Sequence, residues 1–228
     1  MNYPKIYGQG AVFAFSGLDG QTDYKHDFVG SLSGDHIGVL FHLKVRRELF
    51  FELLPSVKNV DYKAVTHDVL DVDMKTGQDG SYPLKVTYAN AKTIIGRTSP
   101  FAFPVVRAER EANSHRNGNL WTQSSPGEHT ALLIEQRDEG IRFAFSFSED
   151  CVESAEARAQ EGLELNVDKL VKKRLSWFDC IPSCPRRDPI KEETYYKAFS
   201  ILKGNILSAE GRIKRLWTTP DRIPHKNM

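Results

Sequence analysis

Residues 141–147 read Ile-Arg-Phe-Ala-Phe-Ser-Phe. In an extended chain, side chains alternate between two faces, so Ile141, Phe143, Phe145 and Phe147 share one face and Arg142, Ala144 and Ser146 the other. A helix would scatter those aromatics around its axis. The run follows Arg137-Asp138-Glu139-Gly140 and a second extended run, Thr130 to Gln136. That is the pattern of a hairpin with a tight turn. The segment reads as a core-facing strand, and an inner face this bulky needs a second layer to cover it.

The same reading extends upstream. Asp68 to Met74 and Leu84 to Tyr88 alternate at period two. Ala11 to Phe15 is a short strand closed by Ser16-Gly17-Leu18-Asp19-Gly20. Ile37 to Leu43 is an apolar run too short for a helix, Glu48 to Leu54 stops at Pro55, and Asn117-Gly118 marks a tight turn. About ten strands at roughly 8–15 residue spacing predict a large β-sandwich over the first ~148 residues.

After Ser148 the pattern changes. Val152 to Leu163 is dense in Ala and Glu and reads as a helix. Asn166 is the N-cap of a second helix, in which Val167, Leu170, Val171, Arg174, Leu175 and Phe178 fall at helical spacing. This helix must end before Pro182, and its Lys172-Lys173-Arg174 run reads as a solvated face. Asp188 and Pro189 open a third helix, with Glu192 and Glu193 favouring its N-terminal dipole. Tyr195, Ala198, Phe199, Leu202 and Ile206 form its expected apolar stripe, and Glu210-Gly211 its expected end. Trp217 to Met228 reads as a loop. Charge shifts at the same place. Residues 1–165 hold 17 Lys+Arg against 23 Asp+Glu, a net of −6, and residues 166–228 hold 14 against 7, a net of +7. The expected division is 1–150 β-sandwich, 151–187 helical linker and 188–228 a further helical unit. An apolar stripe needs a partner, so the third helix either folds back on the sandwich or belongs to something longer. The abrupt end in a specific-looking loop favours the second.

Composition excludes several classes. The net charge of +1 gives no global grip on nucleic acid or membrane. No apolar run nears the ~18 residues of a membrane helix. Met1 to Lys5 lacks a signal-peptide pattern, no Asn-x-Ser/Thr acceptor occurs, and three cysteines suit a reducing, cytoplasmic setting. Cys180 and Cys184 read as plain thiols in a turn or as a redox or metal pair; the missing third and fourth ligands leave no metal expected. The seven histidines show no His-x-x-x-His spacing. Phosphate-cradling glycine loops and a Gly-x-Ser-x-Gly elbow are absent, so no nucleotide cofactor is expected.

Three features could carry chemistry. The Ser16 to Tyr24 loop packs Asp19, Asp23, two hydroxyls and an aromatic between glycines, which suits sugar hydroxyls or equally a plain turn capped by Asp19. The C-terminal loop gathers Trp217, Thr218, Thr219, Asp221, Arg222 and His225 on a backbone stiffened by Pro220 and Pro224. A pyranose site wants that mixture of aromatic platform and planar hydrogen bonders; a helix connection with incidental polar residues is the other reading. Trp121 is either a glycan platform or a core tryptophan.

Two of these stretches resemble a known family. Phe15-Ser16-Gly17-Leu18-Asp19-Gly20-Gln21-Thr22, and the run from Lys203-Gly204-Asn205 through Trp217-Thr218-Thr219-Pro220-Asp221-Arg222-Ile223-Pro224-His225, are similar to bacterial family 63 glycoside hydrolases and their mannosylglycerate-hydrolase-like relatives of the six-hairpin glycosidase superfamily. The resemblance implies an N-terminal β-supersandwich, a helical linker and an (α/α)6 barrel, of which residues 188–228 would be the incomplete start. It implies inverting hydrolysis of an α-glycosidic bond by two carboxyl groups ~6.5–9.5 Å apart. In the family pattern the Pro-His loop runs into a Trp-x-Trp-Asp segment whose Asp is the acid, with a distant Glu as base. Both would lie past residue 228, so no catalytic residue is assigned within this chain. Arg222 and His225 would bond sugar hydroxyls, Trp217 would wall the pocket, Asp221 would orient Arg222, and Asp19 would join them. The expected partner is a carbohydrate or glycoside substrate, with no nucleic acid, membrane, metal or cofactor. The alternative is a non-catalytic carbohydrate-binding or scaffolding β-sandwich module.

Overall fold

A computed structural model describes residues 3–25, 28–77, 80–109, 112–185, 188–220 and Arg222. The chain is mainly β. Its strands run β1 (Val12–Phe13), β2 (Gly30–Leu32), β3 (Gly38–Phe41), β4 (Arg47–Leu53), β5 (Val57–Val65), β6 (Val69–Thr76), β7 (Ser81–Asn90), β8 (Thr93–Thr98), β9 (Ala102–Ala108), β10 (Asn113–Asn117), β11 (Leu120–Ser125), β12 (Glu128–Arg137) and β13 (Gly140–Ser148). Helices α1 (Val152–Leu163), α2 (Val167–Ser176) and α3 (Pro189–Gly204) follow, then the short strands β14 (Ile206–Leu207) and β15 (Trp217–Thr218).

Two antiparallel sheets face each other. One has five strands in the order β1-β2-β3-β4-β9, and the other eight in the order β10-β11-β12-β13-β8-β7-β6-β5. Arg137 pairs with Gly140 across the expected two-residue turn, and Gly140 takes the positive φ that closes it. Ile141, Phe143, Phe145 and Phe147 all point into the core between the sheets. Phe143 packs on Phe51 of the opposite sheet and against Gly96, where an added Cβ would sit 2.2 Å from the Phe143 ring.

The other face of β13 is covered too. Ala144 and Ser146 are fully buried beneath α1, whose Ala155, Ala159 and Leu163 settle on Ala131, Ala144 and Ile95. Small residues on both surfaces permit this approach, and Ser146 Oγ donates to the Ala155 carbonyl at 2.5 Å. Helices α1 and α2 thus form a third layer on the eight-stranded sheet, while α3 packs beside β1 of the other. Asn166 caps α2 by accepting from Lys169 N, and Asp188 caps α3 by accepting from Ile190 N and Lys191 N. In the expected solvated run, Lys172 and Lys173 are exposed but Arg174 is buried, because its position lies in the apolar phase of α2. Cys151, Cys180 and Cys184 are free thiols. Among the described residues, no helix is long and apolar enough to cross a membrane.

Helix α3 departs from its expected orientation. Its buried residues are Tyr196, Lys197, Ser200, Lys203 and Gly204. The expected stripe is only partly covered: Tyr195 packs half-buried beside Tyr196, Phe199 is half-buried, and Ala198 and Leu202 are exposed, Leu202 at 60%. The helix also stops at Gly204 rather than Glu210. Gly204 lies against the His67 ring, and Ile206–Leu207 turns away to pair with Trp217–Thr218. Trp217 therefore begins in a strand pair, not in a loop.

Candidate functional site

The two stretches that carry the family resemblance meet in space. Gly17 N donates to the Ile206 carbonyl at 2.7 Å, and Ser16 Oγ to the Lys203 carbonyl at 2.7 Å. A Cβ at Gly17 would lie 2.2 Å from the backbone of Leu207 and Ser208, so no other residue fits this crossing unchanged. Thr22 and Ser208 exchange bonds reciprocally: Thr22 N donates to Ser208 Oγ at 3.0 Å and Ser208 N to Thr22 Oγ1 at 2.8 Å. Tyr24 N donates to Glu210 Oε2, and its ring stands edge-on to Trp217. Gly17→Ala should cost about 1–3 kcal/mol, the range for forcing atoms into a packed site, measurable by urea unfolding; an unchanged midpoint would contradict the crossing.

Beneath the crossing lies a buried charge cluster. Asp19 reaches Arg174 at 2.5 Å and Lys203 Nζ at 2.8 Å. Asp68 Oδ2 lies 3.2 Å from His67 Nε2, 3.6 Å from Lys203 Nζ and 3.7 Å from Arg174 Nε. Asp68, His67, Arg174 and Lys203 are at most 2% exposed. Two carboxylates face two cations, so the formal charge closes to zero. The Lys203 ammonium also lies over the Trp177 ring, and Arg174 over Phe15. Ser200 Oγ accepts from His67 N at 2.7 Å and lies 3.1 Å from His67 Nδ1. The cluster joins four segments: the Asp19 loop, the β5–β6 turn, α2 and α3.

Burial pushes the His67 imidazole below its ordinary pKa, against the pull of Asp68 beside it. Burial alone would raise Asp68, but His67, Lys203 and Arg174 outweigh it and hold the carboxyl well below the usual range. Both shifts have the same consequence for stability. Once unfolded, His67 binds a proton near its ordinary pKa of ~6.5, so the stabilisation present above that pH is lost as pH falls, by at most about 1.4 kcal/mol per pH unit. Asp68 adds a second loss as pH falls through and below the ordinary carboxylate value. Urea unfolding between pH 8 and pH 5 (about one and a half units either side of the histidine's ordinary pKa) should show the first step, and His67→Gln should flatten it. An equal slope in both proteins would contradict the assignment.

Asp19, His67 and Asp68 place ligand atoms within 4.8 Å of one another, the one such group among the described residues. Arg174 and Lys203 already lie against both carboxylates, so a cation here would displace or repel two buried charges. The donor set does not fit a metal.

The expected site residues separate into three groups. Asp19 turns inward to the charge cluster. Trp217 is half-buried, and its Nε1 donates to the Ser208 carbonyl at 3.0 Å. Arg222 is buried, and its Nη1 donates to the carbonyls of Gly204 at 2.9 Å and Phe15 at 3.1 Å. Asp221 and His225 lie outside the described residues. An open cleft of about 540 Å³ runs beside the crossing, lined by Gln21, Thr22, Asp23, Asn90, Lys92, Arg158, Glu161 and Glu210. Lys92 bridges Asp23 at 3.4 Å and Glu149 at 2.9 Å. This mixture of amide, carboxylate and cationic groups can pair with a ligand's hydroxyls. Of the Ser16–Tyr24 loop, it is Gln21, Thr22 and Asp23, not Asp19, that line this cleft. Sequence reasoning missed His67, Asp68 and Lys203; a usable signal was the 196, 197, 200, 203 spacing, which is as helical as the apolar stripe.

No protein-family model matches the chain, and no curated protein sequence matches it.

Proposed function

We propose that this chain is the N-terminal portion of an inverting glycoside hydrolase acting on α-glycosidic bonds of the glucoside, mannoside or glycosylglycerate class. The observation that carries the reading is the orientation of α3. The sandwich holds this helix through Ser200, Lys203 and the Asp19–Asp68 cluster, with Tyr195 and Tyr196 packed beside them, and leaves Ile190, Ile201 and Leu202 exposed and Phe199 half-buried. A helix held that way suits the first member of an (α/α)6 barrel, whose other helices would cover the outward face. Each such side chain taken out of water contributes roughly 1.5–3 kcal/mol. On this reading the sandwich acts as a cradle. Arg222 is a positioning residue that ties the barrel's first loop to Phe15 and Gly204, Trp217 walls the site, and Asp221 and His225 continue that loop toward the substrate. The catalytic carboxylates belong to the barrel, and the enzyme works in the cytoplasm.

The test compares the 228-residue chain with the same chain extended through the coding sequence that follows residue 228. Both are assayed on α-glucosides, α-mannosides and glycosylglycerates, with the released anomer followed by NMR. Turnover with inversion by the extended protein alone is the expected result. Turnover by the 228-residue chain would overturn the division of labour. Retention of configuration, or no hydrolysis by the extended protein, would overturn the enzyme assignment.

A further inference from the structure

The eight-stranded sheet is wider than its five-stranded partner. At one end the narrow sheet stops at β9, while the wide one continues through β11 to β10. Cross-strand register puts Arg116, Trp121, Leu132 and Phe145 in one row on the inner face, and Gln123 beside Thr130 in the next. Where cover from the narrow sheet ends, a cavity of about 210 Å³ opens between these rows and Val106 of β9. It is separate from the clasp around Asp19.

The cavity has two kinds of wall. Trp121, Leu132, Phe145 and Val106 are apolar. Gln123 and Thr130 are polar, and Gln123 Oε1 is buried with no hydrogen-bond partner among the described residues. A buried amide oxygen without a donor is costly, and a ligand hydroxyl can satisfy it. At the mouth, the Arg116 guanidinium lies over one face of the Trp121 ring, 4.6 Å from its centre, and adds donors. A pyranose has the matching chemistry: a C–H face to lie on indole and aliphatic carbon, and a hydroxyl edge for the amide and guanidinium. A purely apolar ligand would leave Gln123 Oε1 unsatisfied, and a free anion would meet mostly carbon.

We propose that this overhang is a carbohydrate-binding site that takes one pyranose ring, with Trp121 and Leu132 as its apolar wall and Gln123 as the orienting acceptor. The proposal does not rest on the glycosidase reading. It is tested on the 228-residue protein with methyl α-D-glucopyranoside, methyl α-D-mannopyranoside and methyl β-D-glucopyranoside, by saturation-transfer NMR and titration of tryptophan fluorescence, with benzyl alcohol as the apolar ring. At least one glycoside should bind saturably. Gln123→Leu, which keeps the shape and removes the orphaned oxygen, should leave the protein folded and weaken that glycoside by about five- to tenfold. Trp121→Ala should abolish binding. Three results would each overturn the proposal: no glycoside binding, glycoside affinity unchanged in Gln123→Leu, or binding of benzyl alcohol alone.

Discussion

Lys203→Met should lower the unfolding free energy by about 3–5 kcal/mol, the cost of stripping one partner from a buried ion pair. The ammonium is 1% exposed, 2.8 Å from Asp19 and 3.6 Å from Asp68. Met fills most of the volume, so the loss comes from two carboxylates left facing one guanidinium in a site water does not reach. For a domain of ordinary stability this is a large fraction of the total. The urea midpoint should fall markedly, while Lys173→Met on the exposed face of α2 should stay within about 0.5 kcal/mol of the parent. Adding Asp19→Asn to Lys203→Met should recover part of the loss, because the second change restores charge balance. A midpoint for Lys203→Met equal to that of Lys173→Met would mean that the cluster does not hold α3.

Phe143→Ala should cost a similar amount, about 3–5 kcal/mol, by a different route. The ring is fully buried between the sheets, with Phe51 on one side and Gly96 on the other. Truncation removes the transfer free energy of the ring and leaves a void that the Gly96 backbone cannot fill. Thermal unfolding followed by circular dichroism checks this, and a shift within the range of exposed substitutions would contradict the placement of β13.

These two residues mark where sequence reading succeeds and fails. Phe143 was legible because alternation is local: seven residues carry the pattern, and the adjacent turn fixes the register. The caps at Asn166 and Asp188 were legible for the same reason, since each acts within a few residues. The outer face of β13 was only half legible. Ala144 and Ser146 are small, which suits a covering helix, but nothing near them in sequence says that α1 lies there. Lys203 was not legible. The stripe of Tyr195, Phe199 and Leu202 is more apolar than the 196, 200, 203 face, and hydrophobicity alone turns the helix the wrong way. What decides its orientation is Asp19 and Asp68, carboxylates from the other end of the chain that need Lys203 and Arg174 beside them. Non-local electrostatics overrode the local pattern, and they also turn the Asp19 carboxylate inward to Arg174 and Lys203. The crossing at Gly17 escaped for a related reason: a glycine in a loop says that something comes close, but not that it is Leu207.

The central claim is that the sandwich clasps α3 and the β14–β15 pair into one cooperative unit and leaves Ile190, Ile201 and Leu202 of the helix facing outward. Native-state hydrogen exchange on the 228-residue protein tests it most directly. The account predicts that the amides of Tyr196 to Lys203, together with those of Gly17, Thr22 and Ser208, exchange as slowly as those of Phe143 and Phe145, through global unfolding. Fast exchange across α3 and at Ser208, while β13 stays protected, would contradict it.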